Sequence, residues 1–505
     1  MSLPPDRIPV IVGVGEIVDR TRNPAEGREP LALMVEALRA AQDDASAALL
    51  AQLDSLDVIC EYSWPYIDAP GLVARELGVS PRHSRYGDVG GESPVRYLHE
   101  AALRIQRGEA TVAAVVGAEA QYTVAGAIRA NLNLSWEQRD KKAVILTGRE
   151  FSAPVAVDHG VCIPTNVYPL YENASSAHWG QTQREALQES GETWAALSRA
   201  AAKNPASWLQ EPYTPEAITT PGEKNRLIAW PYTKHMVANP LVNQGGAVLL
   251  TSIANARALG IPESRWVRVL GGAAANEPRD YLERDQFWQS HAQNAVLERC
   301  VEIAGGDATR FAAMELYSCF PCVPKMARRT LKLPASAPLS VTGGLSFFGA
   351  PLNDYMTHAA CAIVRTLRES PGSVGLLYGQ GEFVTKHHAL VMAPGAGDAT
   401  AQATLPEEYK VQAQADARRG PVPAFVFDYA GPAQIETFTV IYQRDGKPEY
   451  GCVIARTPEG ERLMARVPAS DTATLAVLTD LDSQPVGKSG TVSRLDSKRL
   501  RWEAA

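Results

Sequence analysis

Short apolar runs that contain or end in glycine recur along the chain, and helical segments separate them. The clearest runs cover residues 8–15, 111–117, 245–252 and 374–379. Runs of this kind, without polar alternation, are typical of strands buried on both faces of an α/β sheet. A second series begins at residue 266 and follows the order of the first, which suggests an internal duplication.

The segment that begins at residue 93 gives the strongest local prediction. Ser93 is a suitable helix N-cap, and Pro94 suits the first helical position. Apolar residues then recur at helical spacing until Gly108, which suits the position just after a helix. A fully buried strand is predicted at 111–117, so the segment predicts a turn, a helix and a strand in succession.

The remaining pattern divides the chain into segments. Residues 122–235 hold five of the nine tryptophans and predict a mostly helical insertion. A stretch rich in Pro and Gly at 394–420 predicts a linker. Five short strands are predicted after it, at 435–443, 449–456, 461–467, 474–478 and 490–495, which is typical of a small barrel or Greek key. We therefore expect units at 1–121, 122–235, 236–262, 263–395 and 404–505, the last as a separate β domain.

Composition excludes several classes of protein. The 505 residues include 56 acidic and 49 basic side chains, so the net charge is −7 and a nucleic-acid binder is not expected. No apolar run is long enough to span a membrane. Seven widely spaced cysteines argue against a disulfide framework, and the first residues lack a secretory pattern, so we expect a cytoplasmic protein. Cys319 and Cys322 could form a redox pair, but no zinc site is evident.

Seven motifs in a fixed order resemble those of the thiolase superfamily, especially its branch of sterol-carrier-protein-2 thiolases. They are Ile8–Gly15, Gly90–Pro94, Ala113–Ala120, Asn243–Ser252, Glu315–Phe320, Gly344–Pro351 and Leu376–Gly381. The residues beyond about 404 resemble the additional C-terminal domain of thiolase-like proteins of type 1. The resemblance implies a duplicated α/β thiolase fold, layered helix–sheet–helix–sheet–helix, with a helical loop insertion and a small C-terminal β domain.

The resemblance also implies a site, which this chain has altered. Gly91 stands where thiolases carry their nucleophilic Cys, and Ser93 matches the motif's Ser. Ala350, after Gly349, stands where they carry a His that activates that Cys. Tyr317 replaces a residue that helps hold the oxyanion-hole water. Acetyl-CoA acetyltransferase-type chemistry on acyl-CoA is therefore implied by the family, but its usual nucleophile and base are replaced.

Cys319 is the catalytic-type residue that survives, because it matches the family's acid/base Cys. A buried structural Cys is the alternative. We take Cys319, Tyr317 and Ser93 as candidate catalytic residues. The candidate substrate-binding residues are Gly91, Gly349, Lys224, Arg226, Lys234 and His235.

The four basic residues of that set would hold the phosphates of coenzyme A, unless they form only a solvated basic loop. No cofactor or metal is expected, and a coenzyme A thioester is the expected ligand. The alternative function is a non-catalytic acyl-CoA-binding protein that docks a protein partner through its C-terminal β domain.

Two further groups are expected to be structural. His387 and His388 are predicted to be a solvated surface pair, because no third metal ligand is evident. Asp354 and His358 are spaced i, i+4 on a predicted helix and are expected to form an ordinary helix pair.

Overall fold

The computed structural model describes residues 4–396 and 404–505. The strands are β1 (Pro9–Val18), β2 (Leu53–Val58), β3 (His83–Tyr86), β4 (Val112–Ala120), β5 (Leu227–Ala229), β6 (Tyr232–Thr233), β7 (Asn243–Ser252), β8 (Val267–Asn276), β9 (Phe311–Leu316), β10 (Val374–Gly381), β11 (Lys386–Pro394), β12 (Gly431–Tyr442), β13 (Pro448–Arg456), β14 (Arg462–Pro468), β15 (Ser489–Arg494) and β16 (Leu500–Ala504). The helices are α1 (Pro30–Ala45), α2 (Ala69–Leu77), α3 (Ser93–Arg107), α4 (Gln121–Ala130), α5 (Pro154–Asp158), α6 (Pro164–His178), α7 (Gln183–Lys203), α8 (Pro215–Thr219), α9 (Ile253–Ala258), α10 (His291–Ile303), α11 (Cys322–Thr330), α12 (Gly344–Phe347), α13 (Tyr355–Arg368), α14 (Gln412–Asp416) and α15 (Thr472–Leu478).

The large sheet shows the internal duplication. Its order is β3-β2-β4-β7-β1-β8-β11-β10-β9. The first half runs β3-β2-β4-β7-β1 and the second β9-β10-β11-β8, which is the same order without a counterpart of β3. The directions also agree, because β2–β4 and β9–β10 are parallel and the next two pairings in each half are antiparallel. The two halves join through β1 and β8, at Val10 and Ile11.

Helices cover both faces of the two half-sheets. Helix α1 packs on β1, β4 and β7, and α10 packs on β8 and β11. Helices α3 and α13 contact each other and strands of both halves, so they form the middle layer. The five-layer arrangement inferred from the resemblance is therefore confirmed.

The C-terminal strands form a closed barrel that is continuous with the insertion. Strand β12 pairs with β13 and β15, which closes the ring β12-β13-β14-β16-β15. The hairpin β5-β6 of the insertion extends the same sheet, because Ala229 pairs with Ile441. Arg462 is fully buried and donates to the carbonyls of Leu282 and Arg284 in the second half. Independent folding of residues 404–505 stays a prediction. Separation of this segment would break the β5–β12 pairing and the hydrogen bonds of Arg462.

Three local predictions were wrong. Ser93 is the first helical residue rather than the N-cap, and its hydroxyl donates to the carbonyl of Asp88. Residues 474–478 are helical, since Asp471 caps α15 at the N–H of Thr474. His387 and His388 are buried, because β11 lies between β8 and β10. Part of the predicted linker, 397–403, lies outside the described residues, and within the described residues no helix is long and apolar enough to cross a membrane.

Candidate functional site

The turn before α3 places the N-terminus of that helix beside a cavity. Gly90 donates its backbone N–H to Oδ1 of Asn353 at 3.1 Å, and Asn353 donates from Nδ2 to the carbonyl of Cys60 at 2.8 Å. The turn is thus attached to both halves of the core. The first N–H groups of a helix lack intrahelical acceptors and favour partial negative charge nearby. The position suits a carbonyl oxygen of a ligand.

We call this space the apolar cavity, and its volume is about 400 Å³. Its lining is mostly apolar and aromatic, with a few hydrogen-bonding groups. It includes Tyr62, Val89, Gly90, Gly91, Leu146, Phe151, Ile163, Tyr168, Val237, Ala238, Pro240, Tyr317, Cys319, Phe320, Leu345, Ala350, Asn353, Gln380, Glu382 and Phe383. Both the volume and the composition are typical of pockets for small organic ligands.

Gly91 and the Tyr317 hydroxyl are in direct contact in the wall of this cavity. A Cβ atom at Gly91 would lie 2.4 Å from the Tyr317 hydroxyl and 2.6 Å from the carbonyl oxygen of Gln380. Any side chain at residue 91 would therefore force these atoms to move. The Tyr317 hydroxyl makes no hydrogen bond within the described residues, so it is free to bond to a ligand. Burial raises the pKa of Tyr317 well above its usual value, so the phenol stays protonated and can donate.

Cys319 lies on the same wall, in a neutral environment. Its Sγ accepts from Nε2 of Gln380 at 3.2 Å, and the same Nε2 lies 2.8 Å from the hydroxyl of Tyr168. Burial raises the pKa of Cys319 to about 12. The thiol is therefore protonated at neutral pH, which disfavours it as a nucleophile.

The Gly349 turn supports the cavity at another side. Gly349 has a φ of +116°, and a Cβ there would lie 2.6 Å from Oε1 of Gln244. Gln244 donates to the carbonyl of Phe348 at 3.0 Å, and Ala350 donates its N–H to the carbonyl of Asn239 at 2.9 Å. Ala350 lines the cavity with a methyl group alone, so this position supplies no proton acceptor.

The structure brings four of the predicted residues together at the apolar cavity: Gly91, Tyr317, Cys319 and Ala350. Ser93 and Gly349 support its turns without lining it. The predicted basic residues form a group in and around the β5–β6 hairpin, outside the cavity lining. Lys224 and Lys234 are exposed there.

The ring of His235, in the same group, packs edge-on against Tyr213. Arg226 donates to the carbonyl of Leu227.

Sequence reasoning missed several lining residues. Tyr168 stacks on Phe320 with ring centroids 4.4 Å apart, and its hydroxyl donates to the carbonyl of Glu382 at 2.6 Å. Tyr62 and Leu146 come from loops whose sequence carries no periodic signal. The sequence does show that Tyr168 can bury its ring and hydrogen-bond through its hydroxyl. It does not show that the side chain faces the cavity, because that depends on how α6 packs.

The predicted Asp354–His358 pair belongs to a larger buried cluster away from the cavity lining. Nδ1 of His358 lies 2.7 Å from Oε1 of Glu16, and its Nε2 lies 3.5 Å from Oδ2 of Asp354. Arg365 forms a further ion pair with Glu16. Although burial opposes the charge, these two carboxylates raise the pKa of His358 to about 9. The cluster attaches α13 to β1.

Comparisons with known proteins establish the family and the fold of this chain. A model of the thiolase-like protein type 1 additional C-terminal domain matches residues 411–497. The crystal structure of a monomeric SCP2-thiolase-like protein type 1 from Mycobacterium smegmatis is similar over 99% of each chain, with a TM-score of 0.82 and 30% identity. This chain belongs to that family. No curated protein matches it in sequence.

More distant structures share the fold of the family core. A structure named Ltp2-ChsH2(DUF35) aldolase is 18% identical, with a TM-score of 0.60, over 78% of this chain and 98% of the other. Human mitochondrial 3-ketoacyl-CoA thiolase in complex with CoA is 14% identical, with a TM-score of 0.56, over 78% of this chain and all of the other. The thiolase-like fold inferred for this type 1 protein is therefore confirmed, together with its small C-terminal barrel.

Proposed function

We propose that this protein binds the thioester end of an acyl-CoA in the apolar cavity without forming an acyl-enzyme. The observation that carries the proposal is the contact between Gly91 and Tyr317. The resemblance puts the thiolase nucleophile at Gly91, and here the Tyr317 hydroxyl occupies the space of such a side chain. The cavity itself remains open, with a volume of about 400 Å³.

The groups around the cavity suit a bound thioester. The Tyr317 phenol and the N-terminus of α3 would both stabilise the thioester carbonyl oxygen. The lining near Ile163, Val237 and Leu345 offers apolar surface to the acyl or pantetheine chain. Gly91 supplies no nucleophile and Ala350 supplies no base, so neither of the usual thiolase steps has its reacting group.

The remainder of coenzyme A would extend toward the insertion. We assign its phosphates to Lys224, Arg226, Lys234 and His235, because these cationic or titratable side chains belong to the insertion and two of them are exposed. The pantetheine arm would then link these phosphates to the thioester in the apolar cavity.

Acyl transfer of the acetyl-CoA acetyltransferase type is the second candidate. The family membership favours it, and Cys319 would be its acid/base residue. Losing a nucleophile and base that act as a unit typically lowers the rate by a factor on the order of 10⁶. Robust thiolysis of acetoacetyl-CoA by the pure protein would establish this candidate.

We also propose that the protein functions in the cytoplasm. All seven cysteines are free, as expected in a reducing cytoplasm. One structural relative is named Ltp2-ChsH2(DUF35) aldolase. For this chain we place any protein partner at the C-terminal barrel side, where Val422 and Phe427 are 50% and 67% exposed.

Isothermal titration with hexanoyl-CoA and with coenzyme A tests the binding. We expect one site with a dissociation constant between about 10 µM and 1 mM, because no covalent step assists binding. Ala238→Trp, at the half-buried wall, should block the cavity. Ile128→Trp is the matched control on an exposed surface. Tyr317→Ala should change the affinity, and absence of binding at millimolar concentration together with no effect of Tyr317→Ala would refute the proposal.

A further inference from the structure

A second, larger cavity adjoins the apolar cavity. We call it the polar cavity, and its volume is about 840 Å³. The two cavities share Val89, Leu146 and Glu382 in their linings. Leu146 is half-buried and belongs to a loop without helix or strand. A narrow wall of two apolar side chains and one carboxylate thus separates a site for apolar groups from a site for charged ones.

Two cations converge on one carboxylate at this wall. Arg279 binds Glu382 with both Nε and Nη2, at 2.8 to 3.1 Å, and Nζ of Lys386 lies 3.0 Å from the same carboxylate. Lys386 also donates to the carbonyl of Val89 at 2.9 Å. Arg279 covers the ring of Phe151, which lines the apolar cavity. The three charges leave one positive charge uncompensated where the cavities meet.

Three other acidic side chains in the polar cavity have their own cations. Asp88 pairs with Arg96, and Glu277 pairs with Arg419. Glu100 pairs with an arginine of β3. An anion that enters from the wall therefore meets Arg279 and Lys386, and the nearest acidic groups are Glu382 and the buried Glu92.

Glu92 is the unexplained group beside this wall. It lines the polar cavity, is only 6% exposed, and its Oε2 has no hydrogen-bond partner within the described residues. A Cβ at Gly90 or Gly381 would lie 2.2 or 2.1 Å from that oxygen, so the carboxyl fits only because both residues are glycines. Burial raises the pKa of Glu92 above its ordinary value, although the nearby positive charges of Lys386 and Arg96 oppose that rise.

We propose that the acyl group of the natural ligand ends in a carboxylate, which lies between Val89 and Leu146 and is bound by Lys386 and Arg279. The inference rests on the proposed function and specifies its substrate class. Val89 and Gly91 are two residues apart, so their Cα atoms are separated by at most about 7.6 Å. A six-carbon acyl chain covers most of that distance when extended, because each bond of about 1.5 Å advances the zigzag chain by about 1.25 Å.

The test compares hexanoyl-CoA with adipoyl-CoA, which has the same chain length and a terminal carboxylate. Titration calorimetry on the full chain should show that adipoyl-CoA binds at least about tenfold more tightly than hexanoyl-CoA, because charge-assisted hydrogen bonds stabilise the bound carboxylate. Lys386→Met should reduce that affinity ratio about tenfold. Arg279→Met, at a half-exposed side chain, should reduce it as well and carries less risk to folding.

The outcomes separate the two proposals. Lys447→Met, at a lysine that is 79% exposed on the barrel, is the matched control and should keep the ratio. Equal affinity for the two ligands, or tighter binding of hexanoyl-CoA, would overturn the carboxylate inference and leave acyl-CoA binding intact. Failure of both ligands to bind would refute the proposed function and this inference with it.

Discussion

The apolar cavity and the buried cluster around His358 are lined by side chains of the same core, yet they hold opposite kinds of groups. In the cluster, His358 forms an ion pair with Glu16, and Glu16 and Asp354 raise the pKa of the imidazole. At the cavity, Tyr317 and Cys319 have no charged partner, and burial keeps both protonated. Charge is tolerated in the interior when each group has a partner. The fold therefore accommodates a buried acid–base pair, His358 and Glu16. This pair connects elements of the core and does not line the apolar cavity.

The largest effect should come from breaking a buried charge pair. Lys325 and Glu172 are fully buried; Nζ of Lys325 binds Glu172 and lies 3.0 Å from Oγ of Ser190. Lys325→Met would leave Glu172 uncompensated, and we expect a loss of about 3–5 kcal/mol in unfolding free energy. Urea unfolding measures it, with Lys447→Met as the exposed control. A loss below about 1 kcal/mol would contradict the expectation that an uncompensated buried carboxylate strongly destabilises this fold.

The His358 cluster should make stability depend on pH. The folded pKa of His358 is about 9, above its ordinary value of 6.5, so its contribution is complete below pH 6.5 and is lost as pH rises through 9. The wild type should lose up to about 3 kcal/mol more than His358→Gln across that window. Glu61, with a pKa raised to about 8, titrates in both proteins and cancels in the difference. Parallel stability curves would show that the cluster is not charged.

Adding a thiol at the cavity should be costly and should not restore acyl transfer. Gly91→Cys would collide with Tyr317 and with the Gln380 carbonyl, and we expect a destabilisation of about 1–3 kcal/mol. Gly222→Ala is the control, since its Cβ would meet nothing within 4 Å and should change stability by less than about 0.5 kcal/mol. Intact mass after exposure to acetyl-CoA should show no adduct on the variant. An acetyl group attached to the introduced thiol would contradict the steric account.

The smallest effect concerns the free hydroxyl at the cavity. Tyr317→Phe removes a group that has no hydrogen bond within the described residues, so unfolding free energy should change by less than about 1 kcal/mol. Hexanoyl-CoA affinity should fall by about two- to tenfold, if the phenol donates to the thioester carbonyl. Calorimetry with both proteins measures it. Unchanged affinity would remove Tyr317 from the binding site while leaving the cavity in place.

Much of the fold could be predicted from the sequence, because local signals agreed with the tertiary structure. Helix α3 is delimited by Pro94 and Gly108, and the apolar runs mark β1, β4, β7 and β10. Strand β11 was missed because its start, with His387 and His388, is polar. Only pairing with β8 and β10 buries these residues.

The sequence motifs identified residues of the candidate site, but they did not predict the contacts between those residues. The resemblance located Gly91, Tyr317, Cys319 and Ala350, and all four line the cavity. That Tyr317 reaches Gly91 depends on how the two halves pack, because 226 residues separate the positions. The polar cavity had no sequence signal, since Glu92 and Lys386 look like ordinary surface charges.

The most direct test of non-covalent thioester binding is one incubation with two readouts. The protein is saturated with hexanoyl-CoA and then analysed for released coenzyme A thiol and for intact mass. The account predicts no thiol release above the spontaneous rate and no mass increase, while calorimetry under the same conditions shows binding. A hexanoyl adduct on Cys319, or sustained release of coenzyme A, would contradict it.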